Sequence, residues 1–123
     1  MKDITAVLID DEALITDVLK AFMEEKGAVV YDFNSAEQGL DFVKANHERI
    51  DVVLTDFKMP GNLSGGDIYS WVTTHYPQIV CYIVTGFIDV RPQGIDENHI
   101  LEKPIDFDDF LFRVRQDCNA RKL

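Results

Sequence analysis

Residues 4–12 read ITAVLIDDE, an almost unbroken apolar run that ends in three acidic residues. An apolar run without polar alternation is typical of a strand that is covered on both faces, as in a parallel sheet. Similar apolar runs recur along the chain and bring the number of predicted strands to five. The predicted strands are Ile4–Ile9, Ala28–Phe33, Val52–Thr55, Ile79–Val84 and His99–Leu101.

Helical patterns occupy the intervals between these strands. Apolar residues at helix spacing, among them Leu14 and Val18, predict a first helix that ends at Gly27. Ser35, with Gln38 three residues later in capping-box position, predicts the start of the second helix. Strands that alternate with helices require crossover connections, so the sequence predicts one doubly wound α/β layer with a parallel sheet.

Two more helices are predicted in the second half of the chain. Asp67 begins a helix whose inward face includes Trp71 and which ends before Pro77, and Asp106 begins the last helix. The stretch 87–98 contains a proline and a glycine and has little periodicity. We therefore expect a short helix at most between the fourth and fifth strands.

The composition is that of a single globular domain. The chain has 123 residues, of which 46% are hydrophobic and 28% are charged, and at ~150 residues per domain it has no room for a second one.

With 12 basic and 22 acidic residues the net charge of the chain is −10, which argues against nucleic acid or an anionic membrane as a direct partner. The longest apolar stretch, Ile79–Ile88, is too short to span a bilayer and no signal peptide is evident, so we expect a soluble, cytoplasmic chain.

Polar side chains stand where the predicted strands end. Asp10 and Asp11 follow the first strand and Asp56 follows the third, while Thr85 and Lys103 follow the fourth and fifth. In an open α/β sheet the functional crevice lies beyond the carboxyl ends of the strands. We therefore expect three carboxylates, one hydroxyl and one ammonium to converge at one edge of the sheet.

This set of groups indicates phosphoryl chemistry. Three neighbouring carboxylates repel one another, and such a cluster persists when a cation such as Mg²⁺ neutralises it. Lys103 adds a positive charge and Thr85 a hydroxyl donor, so one carboxylate could act as the nucleophile toward a phosphoryl group.

Four segments, taken in order, resemble one known family. Leu8–Glu12, Asp56–Pro60, Val84–Gly86 and Lys103–Pro104 are similar to the motifs of the response-regulator receiver domain of two-component signal transduction. The resemblance covers essentially the whole chain, so we expect residues 1–123 to form one receiver domain. It implies a flavodoxin-like fold similar to that of the chemotaxis regulator, with five parallel strands in the order 2-1-3-4-5.

The resemblance implies a phosphoacceptor and a metal site. Asp56 matches the phosphoacceptor, and Asp11 matches the direct ligand of Mg²⁺ (or Mn²⁺). Asp10 matches the acidic neighbour that holds metal-bound water, and the backbone carbonyl of Lys58 matches a third protein ligand.

The resemblance also implies switch and tuning residues. Thr85 matches the switch hydroxyl and Lys103 the ammonium that pairs with the phosphoryl group, with a cis bond before Pro104. Lys58 and Phe87 stand at positions that tune dephosphorylation. Because the Phe87 ring offers no hydrogen bond to an attacking water, we expect a long-lived phosphoryl group.

The sequence departs from the family pattern between Thr85 and Lys103. Ile100 stands where the family often has an aromatic switch residue, and the interval is shorter than usual. We therefore expect the family's fourth helix to be short or irregular, and phosphorylation to act through Thr85 and the stretch 87–98. The loop Pro60–Gly66 is longer than the commonest version and resembles receivers of hybrid sensor kinases, so the chain is either a piece of a larger protein or a single-domain regulator.

The partners implied are a histidine kinase or a histidine phosphotransfer domain as phosphoryl donor, and an output partner that the sequence does not identify. The sequence is also compatible with a homodimer. Two other functions compete with that of a phosphorylated receiver. A pseudo-receiver that only binds partners would lack Asp56, Lys103 or the acidic pair, and all are present. A Mg²⁺-dependent phosphohydrolase would need a separate general acid, which the sequence does not show, so we expect a signalling domain and not an enzyme that acts on external substrates.

Overall fold

The computed structural model describes residues 1–86 and 92–121, and in it five parallel strands form one sheet in the order β2-β1-β3-β4-β5. The strands are β1 Thr5–Ile9, β2 Val29–Phe33, β3 Val52–Asp56, β4 Val80–Thr85 and β5 Ile100–Glu102. The predicted fold class and strand order are therefore confirmed, and the predicted strand bounds differ by one residue or less at each end. The two strands that carry Asp10 and Asp56, β1 and β3, are direct neighbours inside the sheet.

In the described residues three α-helices connect successive strands and a fourth follows β5. They are α1 Ala13–Glu25, α2 Ala36–Asn46, α3 Gly65–His75 and α4 Phe107–Arg121, with short 3-10 helices at His47–Arg49 and Glu97–His99. Within the described part of the β4–β5 connection, the 3-10 helix at Glu97–His99 is the one helical element, as the shortened interval predicts. Phe87 lies outside the described residues.

The sheet is covered on both faces, and the alternation of side chains along β1 shows how. Ala6 and Leu8 pack into one apolar cluster with residues of α1 and α4, such as Leu19 and Phe110. Val7 and Ile9 point the other way, into a cluster with α2 and α3. Burial on both faces accounts for the continuous apolar runs of the central strands.

Helix α3 begins two residues earlier than predicted, because the local signal for its start is at Ser64. The Ser64 hydroxyl accepts a hydrogen bond from the Asp67 N–H at 3.2 Å, and the Asp67 carboxylate accepts one from the Ser64 N–H at 2.9 Å. This reciprocal capping box makes Asp67 the third residue of the helix and Gly65 the first.

Three residues that fit the apolar pattern of their helices are not buried in the core. Leu14 and Val18 of α1 are 78% and 51% exposed, although they fit the apolar spacing of the helix. Trp71 of α3 is half-buried, and the Lys44 ammonium lies 4.2 Å from the centre of its ring. Periodicity identifies an apolar stripe, but the width of the stripe that a neighbouring element covers depends on the packing.

Candidate functional site

Three carboxylates meet at the carboxyl ends of the two central strands. Asp10 directly follows β1 and Asp56 ends β3, and the side chains of both are only 8% exposed, whereas Asp11 is exposed. One carboxylate oxygen from each of the three residues lies within 4.8 Å of the other two. The parallel register of β1 and β3 therefore produces the convergence that the sequence predicts.

Lys103 contacts this cluster from the end of a different strand. It follows β5, and its backbone N–H donates to the carbonyl of Thr85 at 2.8 Å. Its Nζ lies 3.3 Å from Asp56 Oδ2 and 3.5 Å from Asp10 Oδ2. The peptide bond between Lys103 and Pro104 is cis.

Glu12 also belongs to the site, and no role was predicted for it. Lys103 Nζ donates to Glu12 Oε1 at 2.7 Å, which is shorter than its distance to Asp56. The signal in the sequence is the third acidic residue after the first strand, which could be read as one more exposed surface charge. Only the fold shows that its side chain is close enough to contact a residue 91 positions away.

The environment favours protonation of the two buried carboxyls. Burial, together with the charge of Asp10, raises the pKa of Asp56 to about 6, although the Lys103 ammonium opposes this. Burial also raises the pKa of Asp10, against a hydrogen bond from the Glu12 N–H and the charge of Lys103. Burial alone lowers the pKa of Lys103, but the bond to Glu12 and the charges of Asp10 and Asp56 raise it above its usual value.

This donor set fits a hard divalent cation. Lys103 is one ammonium among the four carboxylates of Asp10, Asp11, Glu12 and Asp56, so an excess of negative charge remains at the site. Burial first, and then the charge of Asp10, raise the pKa of Asp56, so the ionised carboxylate is destabilised where it lies. All the side-chain ligands are oxygens, which suit Mg²⁺ or Mn²⁺.

Three further predicted site residues lie on β4, on β5 and in the loop after β3. Thr85 is buried at the end of β4, where it pairs in register with Glu102. Ile100 is buried in β5 beside Ile83. Lys58 is exposed, two residues beyond Asp56.

Gly65 lets α3 begin against the end of β3. Its N–H donates to the Phe57 carbonyl at 2.9 Å. A Cβ atom at this position would lie 2.1 Å from the backbone oxygen of Asp56 and 2.8 Å from the Cα of Phe57. Both neighbours are backbone atoms, so they cannot move aside without displacing the strand end that carries Asp56.

We expect Gly65→Ala to lower the free energy of unfolding by about 2–4 kcal/mol, because overpacking against backbone cannot relax locally. The matched control is Gly66→Ala, whose Cβ would meet its nearest atom at 3.4 Å. Alanine is the better helix former, so the control should be neutral or up to about 1 kcal/mol more stable. Urea denaturation of both variants measures the difference, and equal stabilities would contradict the packing described here.

An apolar groove of about 250 Å³ adjoins the site. It lies between α1 and the segment that follows β5, and Lys103 forms part of its wall. Its apolar lining consists of Leu14, Ile15, Val18, Pro104, Ile105 and Phe107. Leu14 and Val18, the two exposed large apolar residues of α1, therefore border the groove whose wall includes Lys103.

None of the helices in the described ranges combines the length and the apolar character that crossing a membrane requires.

Comparison with known proteins gives consistent matches. The family model of the response regulator receiver domain matches residues 6–115. The hydrogenase transcriptional regulatory protein HoxA of Cupriavidus necator is 28% identical over 99% of this chain, and the phosphoglycerate transport system transcriptional regulatory protein PgtA of Salmonella typhimurium is 30% identical over 94%. The chain spans about a quarter of the length of these relatives, 26% and 28% respectively.

Solved structures share the fold. A response regulator receiver domain protein from Clostridium thermocellum superimposes with a TM-score of 0.84 at 30% identity, covering 97% of both chains. A CheY-like receiver domain protein from Methanospirillum hungatei gives a TM-score of 0.82 at 22% identity, covering 97% of this chain and 96% of the other. The second likeness concerns the fold alone.

Proposed function

Because the chain belongs to the response regulator receiver domain family, we propose that it accepts a phosphoryl group on Asp56 and thereby changes its binding to an output partner. The observation that carries this proposal is the position of the Asp56 carboxylate. It lies 3.3 Å from the Lys103 ammonium and within 4.8 Å of Asp10 and Asp11. A nucleophile flanked by one cation and a cation-binding pair suits attack on an anionic phosphoryl group.

Each residue of the site has a proposed part in the transfer. An oxygen of ionised Asp56 forms a bond to phosphorus as the bond from phosphorus to the donor histidine nitrogen breaks. The electron pair of the broken bond stays on that nitrogen, which takes a proton from solvent. Lys103 stabilises the charge on the phosphoryl oxygens, and the Thr85 hydroxyl binds one of them.

The proposed metal site consists of Asp10, Asp11, Asp56 and the backbone carbonyl of Lys58. A Mg²⁺ ion (or Mn²⁺) bound there supplies positive charge that offsets the negative charge of the phosphoryl group. The oxygen-only donor set and the raised pKa of Asp56 support this assignment. Lys58 and Phe87 are proposed to tune dephosphorylation.

We also propose that residues 1–123 form one receiver domain and that this domain acts in the cytoplasm. Its single sheet and its two apolar clusters, one on each face of the sheet, support one folding unit. Since Ile100 is a buried aliphatic residue, we propose that the switch works through Thr85 and the stretch 87–98 and not through an aromatic rotamer. Catalysis is limited to the protein's own phosphorylation and dephosphorylation.

The test is intact-mass spectrometry after incubation with acetyl phosphate and Mg²⁺. We expect the mass of one phosphoryl group to be gained, peptide mapping to assign it to Asp56, and the gain to disappear in a chelator. No gain under any condition would favour a pseudo-receiver. Steady turnover of an external phosphate ester would favour a phosphohydrolase.

We further propose that the groove beside Lys103 is the docking surface for the phosphohistidine-bearing donor, a histidine kinase or histidine phosphotransfer domain. The donor must approach Asp56, and Lys103 belongs both to the groove wall and to the site. Leu14, 78% exposed at the groove, offers apolar area that a partner would bury.

We expect Leu14→Ser to slow phosphoryl transfer from a phosphohistidine protein about tenfold, because apolar contact area at the groove is lost. Phosphorylation by acetyl phosphate should change by less than about twofold, since the small donor needs no docking surface. The matched control is Phe112→Ser on α4, a 60% exposed apolar residue away from the groove. Equal slowing in both variants, or with both donors, would reject docking at this groove.

A further inference from the structure

Glu12 occupies the start of α1 without capping the helix. It is the N-cap residue of α1, and its side chain makes no capping hydrogen bond. Glutamate is not among the residues that favour this position, where serine, threonine, aspartate and asparagine lead. Its carboxylate instead accepts the 2.7 Å hydrogen bond from Lys103. The Glu12 side chain therefore contacts Lys103 and does not cap the helix.

Lys103 is shared unequally among three carboxylates. Its Nζ is 2.7 Å from Glu12, 3.3 Å from Asp56 and 3.5 Å from Asp10. The shortest contact is to the carboxylate at the rim, since the Glu12 side chain is 56% exposed and that of Asp56 is 8% exposed. The ammonium is thus held toward the rim of the site.

The position of Glu12 is also fixed relative to the acidic cluster. Its backbone N–H donates to Asp10 Oδ1 at 2.9 Å, while Asp10 Oδ2 faces Lys103. The main chain of Glu12 is therefore tied to a proposed metal-site residue and its side chain to the proposed phosphoryl-binding cation.

We propose that Glu12 is a positioning residue that competes with the phosphoryl group on Asp56 for the Lys103 ammonium. This inference rests on the proposed phosphoacceptor function. In the resting protein Glu12 holds the ammonium at the rim. When Asp56 carries a phosphoryl group, the donors of Lys103 turn to the phosphoryl oxygens and the Glu12 carboxylate is released at the start of α1. Glu12 thereby lowers the affinity of the site for a phosphoryl group.

The test uses beryllofluoride with Mg²⁺ as a stable mimic of the phosphoryl group, with affinity measured by calorimetry. Glu12→Gln should bind it about threefold to fivefold more tightly, the scale of one partly exposed ion pair. In a Lys103→Met background the same substitution should have no effect, because the competition acts only through the ammonium. Should the Lys103→Met protein bind too weakly for this comparison, a crystal structure of metal-free Glu12→Gln should show Nζ closer to Asp56 than 3.3 Å.

A second variant separates this role from a structural one. Glu12→Ser supplies a favourable N-cap, so it should raise the melting temperature and also tighten beryllofluoride binding. Higher stability with unchanged affinity would show that Glu12 affects only the helix and would overturn the inference. Equal gains from Glu12→Gln in both Lys103 backgrounds, or an unmoved Nζ, would overturn it as well. Failure of the wild-type protein to bind beryllofluoride would instead reject the phosphoacceptor proposal, and this inference with it.

Discussion

Replacing Asp56 by asparagine should abolish phosphorylation by acetyl phosphate, a loss larger than that from any other single substitution. The amide is a poor nucleophile and carries no charge, so neither the attack on phosphorus nor the full metal site survives. The measurement is the gain in intact mass in the presence of Mg²⁺. Asp41→Asn, on the exposed face of α2, removes a similar charge away from the site and should phosphorylate like the wild type. A gain of one phosphoryl group that survives Asp56→Asn would place the phosphoacceptor elsewhere.

The same substitution should stabilise the metal-free protein at neutral pH. The pKa of Asp56 is raised from 3.8 to about 6 by burial and by Asp10, so folding favours its protonated form. The folded state then binds more protons than the unfolded state between these values, and the stability that this group contributes falls as the pH rises through that window. Asp56→Asn removes this penalty, which the rise from 3.8 to about 6 puts at about 3 kcal/mol at pH 7.5.

The pH dependence gives this effect a distinct signature. Melting temperatures in a chelator should differ by several degrees at pH 7.5, and the difference should shrink as the pH approaches 4. A difference that is the same at both pH values would mean that Asp56 is not the group responsible.

Removing Asp11 should have the second largest effect, on metal binding. We expect Asp11→Ala to weaken Mg²⁺ binding by at least about 100-fold, because the proposed direct ligand is lost. Asp10→Ala should weaken it by about 10-fold, as expected for a residue that acts through metal-bound water. Calorimetric titration with MgCl₂ measures both, and phosphorylation by acetyl phosphate should fall in the same order. Equal losses in the two variants would contradict the assignment of Asp11 as the direct ligand.

The convergence of Asp10, Asp56 and Lys103 follows from the sequence once the strands are identified. Continuous apolar runs locate β1 and β3, and a parallel sheet brings their carboxyl ends together. The short interval between Thr85 and Lys103 likewise predicts a short helix at most, and within the described residues 92–99 the structure has the 3-10 helix Glu97–His99. These predictions succeed because they depend on the order of elements along the chain and not on side-chain conformation.

The features that could not be predicted from the sequence depend on packing between elements that are far apart along the chain. The bond from Lys103 to Glu12 joins side chains 91 positions apart, and no local pattern distinguishes Glu12 from a solvated acid. Leu14 fits the apolar period of α1, yet its exposure is set by how far the segment after β5 covers the helix. The start of α3 is a different case, because it could have been predicted. Its signal, Ser64 and Asp67 at capping-box spacing, is present in the sequence.

The acidic residues of the site and Lys103 are held by different parts of the sheet. Asp10 and Asp56 are anchored at the ends of β1 and β3, each flanked by two strands, whereas Lys103 follows the three-residue strand β5, the last in the sheet order. A strand with one neighbour and few ladder bonds yields more readily to a load than one held on both sides. We therefore expect a displacement at the proposed phosphoryl site to move β5 more than the interior strands β1 and β3.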